Sequence, residues 1–420
     1  MEKIKEKLIE EFEKFDIIDA HEHLTPEEER IKMKLDVFSF FSHYTKGDLL
    51  RAGMKEETYN LLFNRKIPLE KRWRKFAPYW EKIRFTSYSR SVIYTLKKFY
   101  GYEDLNEKNY RELSEKIQER NKKGIYREVL RKTCKIKHAL TQCAKTDVDK
   151  NKKDPILIPV MPLLFINPEI TIKDFEGIEG WKKYVNYPIK SLDDLIDKIE
   201  IYLKKIKKEG AVGVKTKSYP HLYPFNKPDR KKAEGLFNNI KRGKIKKTHC
   251  INPLYYYILD KSIEMAIKQD FVIAVHTGYW GDFRNLSPLH LIPFLEKYPE
   301  GKFDIYHFGY PWIRETIMLG KGFSNVWLNF CWLHIISQKA AKEAIDEVIE
   351  TVPRNKIIGF GGDYITEAVE KVYGHLKMAK EDMVDVLSKK VKEGYLKIDD
   401  AKSLIREWFY QNPYSLYLKK

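Results

Sequence analysis

Eight short apolar runs, most of them separated by helix-period segments, constrain this chain more than any other feature of its sequence. They lie at residues 16–21, 136–141, 156–164, 211–217, 271–276, 303–307, 325–330 and 357–363. Continuous apolar runs of this length read as strands buried on both faces, the pattern of a parallel sheet covered by helices. Amphipathic segments such as SLDDLIDKIEIYLKKIKKEG, PLYYYILDKSIEMAIKQ and SQKAAKEAIDEVIETV fit between them. Repeated βα units predict an α/β fold, and eight of them predict a (β/α)8 TIM barrel. Gly210, Gly301 and Gly322 fall where helices must stop before the next strand.

One stretch breaks the alternation. Residues 26–125 contain helical texture, including a segment dense in Trp, Tyr and Arg, but no convincing strand. A hundred residues is too long for a loop, so the barrel is expected to be distorted by a helical subdomain inserted after strand 1. The expected organisation is 1–25, an N-terminal helix and barrel strand 1; 26–125, a helical insertion capping the barrel; and 126–420, the rest of the barrel with C-terminal helices.

Composition narrows the class. No run approaches the roughly 18 to 20 apolar residues that span a bilayer, and the charged opening MEKIKEKLIEEFEKF lacks a signal-peptide core; a soluble, cytoplasmic protein is expected, with no membrane partner. Cys134, Cys143, Cys250 and Cys331 form no metal or disulfide spacing. The net charge of +18 would permit nucleic-acid binding, but the lysines interleave with glutamates over many helices, as solvated faces do. Even the basic run IKRGKIKKTH (240–249) reads as an exposed loop, and nucleic acid is not the expected partner.

Chemistry gathers at the strand ends. The first run closes as FDIIDAHEHL, and a strand places residues i and i+2 on one side, so His21 and His23 can point into one cavity. Alone, H-x-H fits two surface histidines equally well. The fifth, sixth and eighth runs end in AVHTGYWGD, DIYHFGYPW and GFGGD, bringing His276, His307 and Asp363. Singly these read as satisfied core histidines and a turn aspartate. Together, four strands deliver them to the rim where barrel enzymes carry their catalytic groups. Imidazole and carboxylate donors with an open position suit Zn2+, which lowers the pKa of bound water to about 7.

In that order, DAHEHL, VHTG, YHFG and GFGGD resemble the metal-dependent amidohydrolase superfamily, and in particular its amidohydrolase-2 (amidohydrolase-related) branch. The resemblance covers about 14–24 and 136 to the C-terminus. It implies one divalent metal, Zn2+ first with Mn2+ or Fe2+ as alternatives, held by His21, His23, His276 and Asp363. It places His307 beside the metal, polarising or protonating substrate. Asp363 then has two roles, ligand and general base, and His307 can stabilise a developing oxyanion. Lys215 in VGVKTK lies near the place where binuclear members carry a bridging carboxylated lysine. It fits contact with a substrate carboxylate or a structural role as well, and Lys217 shares its face.

Further candidates line the expected opening: Tyr279, Trp280 and Asp282 after His276, and Trp312 and Arg314 after His307. Arg90 lies in the insertion placed to roof that opening, where a buried arginine would suit an acidic substrate, although an arginine on a helix surface fits the position somewhat better. His43, His138, His221, His249, His290, His334 and His375 lack comparable strand-end partners and read as structural or exposed. The expected function is a metal-dependent hydrolase cleaving a C–N or C–O bond, an amide or lactone, in a small polar substrate that can be acidic. The alternative is a metal-dependent isomerase or lyase, since the helix-rich insertion and HEHL also resemble uronate isomerases and the branch includes decarboxylases. A basic nucleic-acid-binding protein on a barrel scaffold ranks third. A homo-oligomer is compatible, because the aromatic insertion can bury itself against a neighbour.

Overall fold

Eight parallel strands follow one another in chain order around a nearly closed barrel: β1 (Ile17–Glu22), β2 (Ile136–Thr141), β3 (Leu157–Pro162), β4 (Gly213–Lys215), β5 (Val272–His276), β6 (Lys302–Tyr306), β7 (Val326–Asn329) and β8 (Ile357–Ile358). The computed structural model describes residues 1–149, 153–216, 228–279, 281 and 283–419. Helices Leu192–Lys208, Pro253–Lys268, Ile313–Gly322 and Gln338–Thr351 cover the strands as the amphipathic segments require. Among the described residues no helix joins β2 to β3, which is one source of the distortion.

The eighth run departs from expectation. Only Ile357 and Ile358 pair as strand, and 359–363 is a loop. Its backbone still closes the barrel: Ala20 N donates to Phe360 O at 3.1 Å, Asp363 N to His21 O at 2.7 Å and His23 N to Tyr364 O at 2.9 Å. Glycine makes the approach feasible, because a Cβ on Gly361 would lie 2.5 Å from the Cys331 Cβ and 3.0 Å from the His21 nitrogen.

Inside the barrel, Ala20, Leu140, Val160, Val272 and Ile358 pack with Leu416 and Tyr417 from the C-terminal segment. The chain thus fills the barrel interior with its own C-terminal end. Tyr417 donates to Asp304 Oδ2 at 2.6 Å, and Asn329 Nδ2 donates to the same oxygen at 2.9 Å. Burial outweighs these bonds and raises the Asp304 carboxyl from 3.8 to about 7. The folded chain therefore keeps a proton that the unfolded chain releases. That stabilisation is full below about pH 4 and is lost as the pH rises through about 7, worth roughly 4 kcal/mol at about 1.4 kcal/mol per unit. Urea midpoints between pH 4 and 8 should show a steeper decline in wild type than in Asp304→Asn, and equal slopes would refute this.

Between β1 and β2 every assigned element is helical, with Tyr44–Arg51, Leu69–Ile83, Ser87–Tyr100 and Tyr110–Arg120 the longest. These helices enclose an apolar cluster of their own that includes Phe38, Phe41, Trp73, Phe76 and Trp80. No described helix is long and apolar enough to cross a membrane.

Candidate metal centre

The end of β1 carries His21, with His23 just beyond. His21 Nε2 lies 3.0 Å from Asp363 Oδ1, and His23 Nε2 lies 3.3 Å from the same oxygen. On the other flank, at the ends of β5 and β6, His307 Nε2 is 3.1 Å from His276 Nδ1 while its Nδ1 is 3.7 Å from Asp363 Oδ2. Four strands thus bring together every histidine and the aspartate that the strand-end pattern singled out. Within this set His21, His307 and Asp363 each offer a ligand atom within 4.8 Å of the others, a cluster that can hold a metal ion. From β4, Lys215 adds its amine 2.9 Å from His21 Nε2.

The electrostatics suit a cation. Burial drives His21 and His276 well below the ordinary 6.5, and His307 down to about 4, so the imidazoles are neutral, the form that binds metal. Burial likewise lowers Lys215. Burial alone would raise Asp363, yet His21, His23 and His307 hold its carboxyl well below 3.8. His23 Nδ1 stands 3.1 Å from the Gln142 carbonyl, which fixes the proton there and leaves Nε2 as the free donor atom. His276 Nε2 is buried with no partner. A buried polar atom left unpaired costs about 1–3 kcal/mol, so the donor set fits an ion that would take it up.

Other groups join from places that carry no strand-end signal. Tyr44, on the first longer helix after β1, hydrogen-bonds Asp363 Oδ2. His43 sits beside it, its ring 6.3 Å from that of His23. Cys331, after β7, puts its sulfur 3.5 Å from His307 Nδ1. Among the described residues eight non-glycines adopt positive φ, and five of them (His43, His307, Phe308, Trp332 and Asp363) surround this centre. Such backbone costs on the order of 1–3 kcal/mol per residue and gathers at functional sites.

Two of the proposed substrate contacts stand elsewhere. Arg90 is exposed and hydrogen-bonds Tyr94, with Glu381 3.8 Å away. The helix Ser87–Tyr100 buries Tyr88, Ser91, Val92, Thr95 and Leu96, and that 3.6-residue stripe turns position 90 to the opposite face. Arg314 is 82% exposed and faces Glu347. Tyr279 is nearer, its ring parallel to Trp332 at 6.4 Å. Trp280, Asp282, Lys217 and His221 lie outside the described residues.

The family model described as amidohydrolase matches residues 190–417, more than half of the chain. The chain belongs to the amidohydrolase family. The match includes His276, His307 and Asp363 but not β1, so His21 and His23 join the family's strands through the fold alone. No curated protein matches the sequence. Among solved structures the amidohydrolase chain is similar to the uronate isomerase of Thermotoga maritima, with a TM-score of 0.79 and 16% identity over 99% of this chain and 97% of that one. It is equally similar to the glucuronate isomerase of Caulobacter crescentus, with a TM-score of 0.79 and 16% identity over 99% and 94%. A protein described as a metal-dependent hydrolase from Lactobacillus casei gives 0.64 and 17% over 97% and 96%. At these identities the likeness establishes the fold, and function has to be argued from the site.

Proposed function

We propose that this amidohydrolase is a metal-dependent hydrolase that cleaves an amide or lactone bond in a small polar substrate. The observation that carries the reading is the convergence of His21, His307 and Asp363 within 4.8 Å at the strand ends, flanked by His23 and His276. In this reading His21, His23, His276 and Asp363 hold one divalent ion, Zn2+ by the softness of three imidazoles, with Mn2+ or Fe2+ as alternatives. When bound, such an ion supplies hydroxide at neutral pH and polarises a carbonyl. Asp363 takes the proton of the attacking water and returns it to the leaving group. Neutral His307 donates a hydrogen bond to the oxyanion. Lys215 offers a cationic contact to an acidic substrate, and the helices between β1 and β2 act as a cap that presents Tyr44 over Asp363.

A second reading rests on Tyr44. A phenol bonded to the same carboxylate supplies a second acid–base group, which an isomerase moving a proton between adjacent carbons would use. The likeness to two uronate isomerases supports it. Turnover of a lactone and amide panel beside uronates, with and without added Zn2+ or Mn2+, tests both. Metal-dependent ring opening or amide cleavage supports the hydrolase, uronate turnover alone moves the assignment to the isomerase, and carbon dioxide released from carboxylated substrates would sink the hydrolase. Tyr44→Phe sharpens the choice: the hydrolase should lose less than about tenfold in kcat, the isomerase 10²–10⁴-fold, the size of a general acid–base contribution.

A further inference from the structure

The loop 359–363 carries Asp363 but is strand for none of its length, so its backbone groups need other partners. Most are accounted for by neighbouring backbone: Gly359 N donates to Trp408 O at 2.8 Å, and Trp332 N donates to Gly361 O at 3.1 Å. The carbonyls of Gly359 and Gly362 are met instead by histidine side chains that no strand end supplies. His334 Nε2 lies 3.2 Å from Gly359 O, and His375 Nδ1 lies 3.0 Å from Gly362 O. His334 is anchored in turn: its Nδ1 is 2.9 Å from Asp382 Oδ2, and Asp382 Oδ1 accepts from Gln338 Nε2 at 3.0 Å. All three of His334, His375 and Asp382 are at most 1% exposed.

We propose that His334, with Asp382, and His375 are positioning residues that grip the two ends of the glycine loop from behind and so aim Asp363 into the metal centre. The proposal rests on the metal-centre reading above. Three features make a loose loop costly here. Asp363 has φ 58, a left-handed conformation that a non-glycine residue keeps only when its surroundings impose it. Gly361 and Gly362 have no side chains to lock them, and Gly362 passes so close to Glu22 and Asp19 that a Cβ would collide with the Glu22 carboxylate. The loop's backbone bonds to Ala20 and His21 of β1 and to Trp332 and Trp408 of the helical layer leave the carbonyls of Gly359 and Gly362 unmet, so the two histidines are what hold these two points of the loop. Neither histidine touches the reacting centre. His375 Nε2 is buried without a partner, so its one hydrogen bond is the contact to Gly362.

Substitutions can separate gripping from mere packing. Asparagine at 375 places an amide N–H where Nδ1–H stood, whereas leucine fills the space and donates nothing. Co2+ titration followed by visible absorbance, with amide hydrogen exchange of 359–364 in parallel, reads both the centre and the loop. His375→Leu should bind Co2+ at least tenfold more weakly, with an altered ligand-field spectrum and at least tenfold faster exchange at 361–364; His375→Asn should restore both to within about threefold. His334→Asn, which keeps a donor toward Asp382 but cannot reach Gly359, should resemble the leucine variant at 375. Outer-shell partners of metal ligands change affinity by about 10–100-fold, which sets this scale. Wild-type affinity, spectrum and exchange in both His375→Leu and His334→Asn would overturn the proposal, as would asparagine failing as badly as leucine at 375 in a folded chain. A wild-type chain that takes up no Co2+ would overturn the metal-centre reading instead, and the exchange rates would still decide the grip.

Discussion

Alanine at position 363 is expected to reduce bound Zn2+ from about one equivalent per chain to well below a tenth after dialysis, and to weaken Co2+ affinity by more than about a hundredfold. Even outer-shell groups change metal affinity 10–100-fold, and Asp363 contributes more than they do. It is the one carboxylate among the converging donors, its Oδ1 lies within 3.3 Å of both β1 histidines, and it is held ionised although buried. Without it the donors left are imidazoles, with Lys215 beside them, a set with no negative charge to offset a divalent ion in a water-poor site. His21→Ala should lose metal similarly, because His21 touches both Asp363 and Lys215. Asp363→Asn keeps the shape and one oxygen donor but not the charge, so its affinity should fall between wild type and Asp363→Ala. Full stoichiometry by elemental analysis in both Asp363→Ala and His21→Ala would remove the site as drawn.

The order of strands and the placing of donors at their ends were legible because both depend on local pattern. Apolar runs mark parallel strands, and a polar residue that ends such a run must emerge at the barrel's carboxyl rim. Arg90 follows the same logic: the helical stripe at 88, 91, 92, 95 and 96 assigns it to the solvent face, in line with the reading of an arginine on a helix surface. Tyr44 and His43 are a different matter. Tyr44 reaches Asp363 across more than 300 residues of chain, and His43 comes beside His23, through a helix whose direction no local pattern encodes, and the positive φ of His43 shows only in the folded chain. The two-residue β8 was hidden for a related reason, since GFGGD reads as a strand end whether its carbonyls bond to a neighbouring strand or to His334 and His375.

Losing Arg30 is expected to destabilise the chain by about 3–5 kcal/mol, a large fraction of the stability of an ordinary fold. Arg30 and Glu370 are both fully buried. The guanidinium donates from Nη2 to both Glu370 oxygens at 2.8 Å, from Nη1 to Asn121 Oδ1 at 2.8 Å and from Nε to Thr366 O at 3.1 Å. One side chain therefore ties the start of the region between β1 and β2, its end at Asn121, and the turn after Asp363. Arg30→Met leaves the Glu370 carboxylate buried without its charge partner, and that orphan carries most of the penalty. The double variant Arg30→Met with Glu370→Leu removes it, so urea unfolding should return at least half of the lost stability, as replacing buried ion pairs by apolar groups often does. The single variant should also free the helices that carry Tyr44, so its metal centre should lose the Tyr44 contact before the barrel unfolds. Equal stability of the single and double variants would show that the cost lies in the orphaned Asn121 and Thr366 partners, and that the pair is not what holds these helices to the barrel.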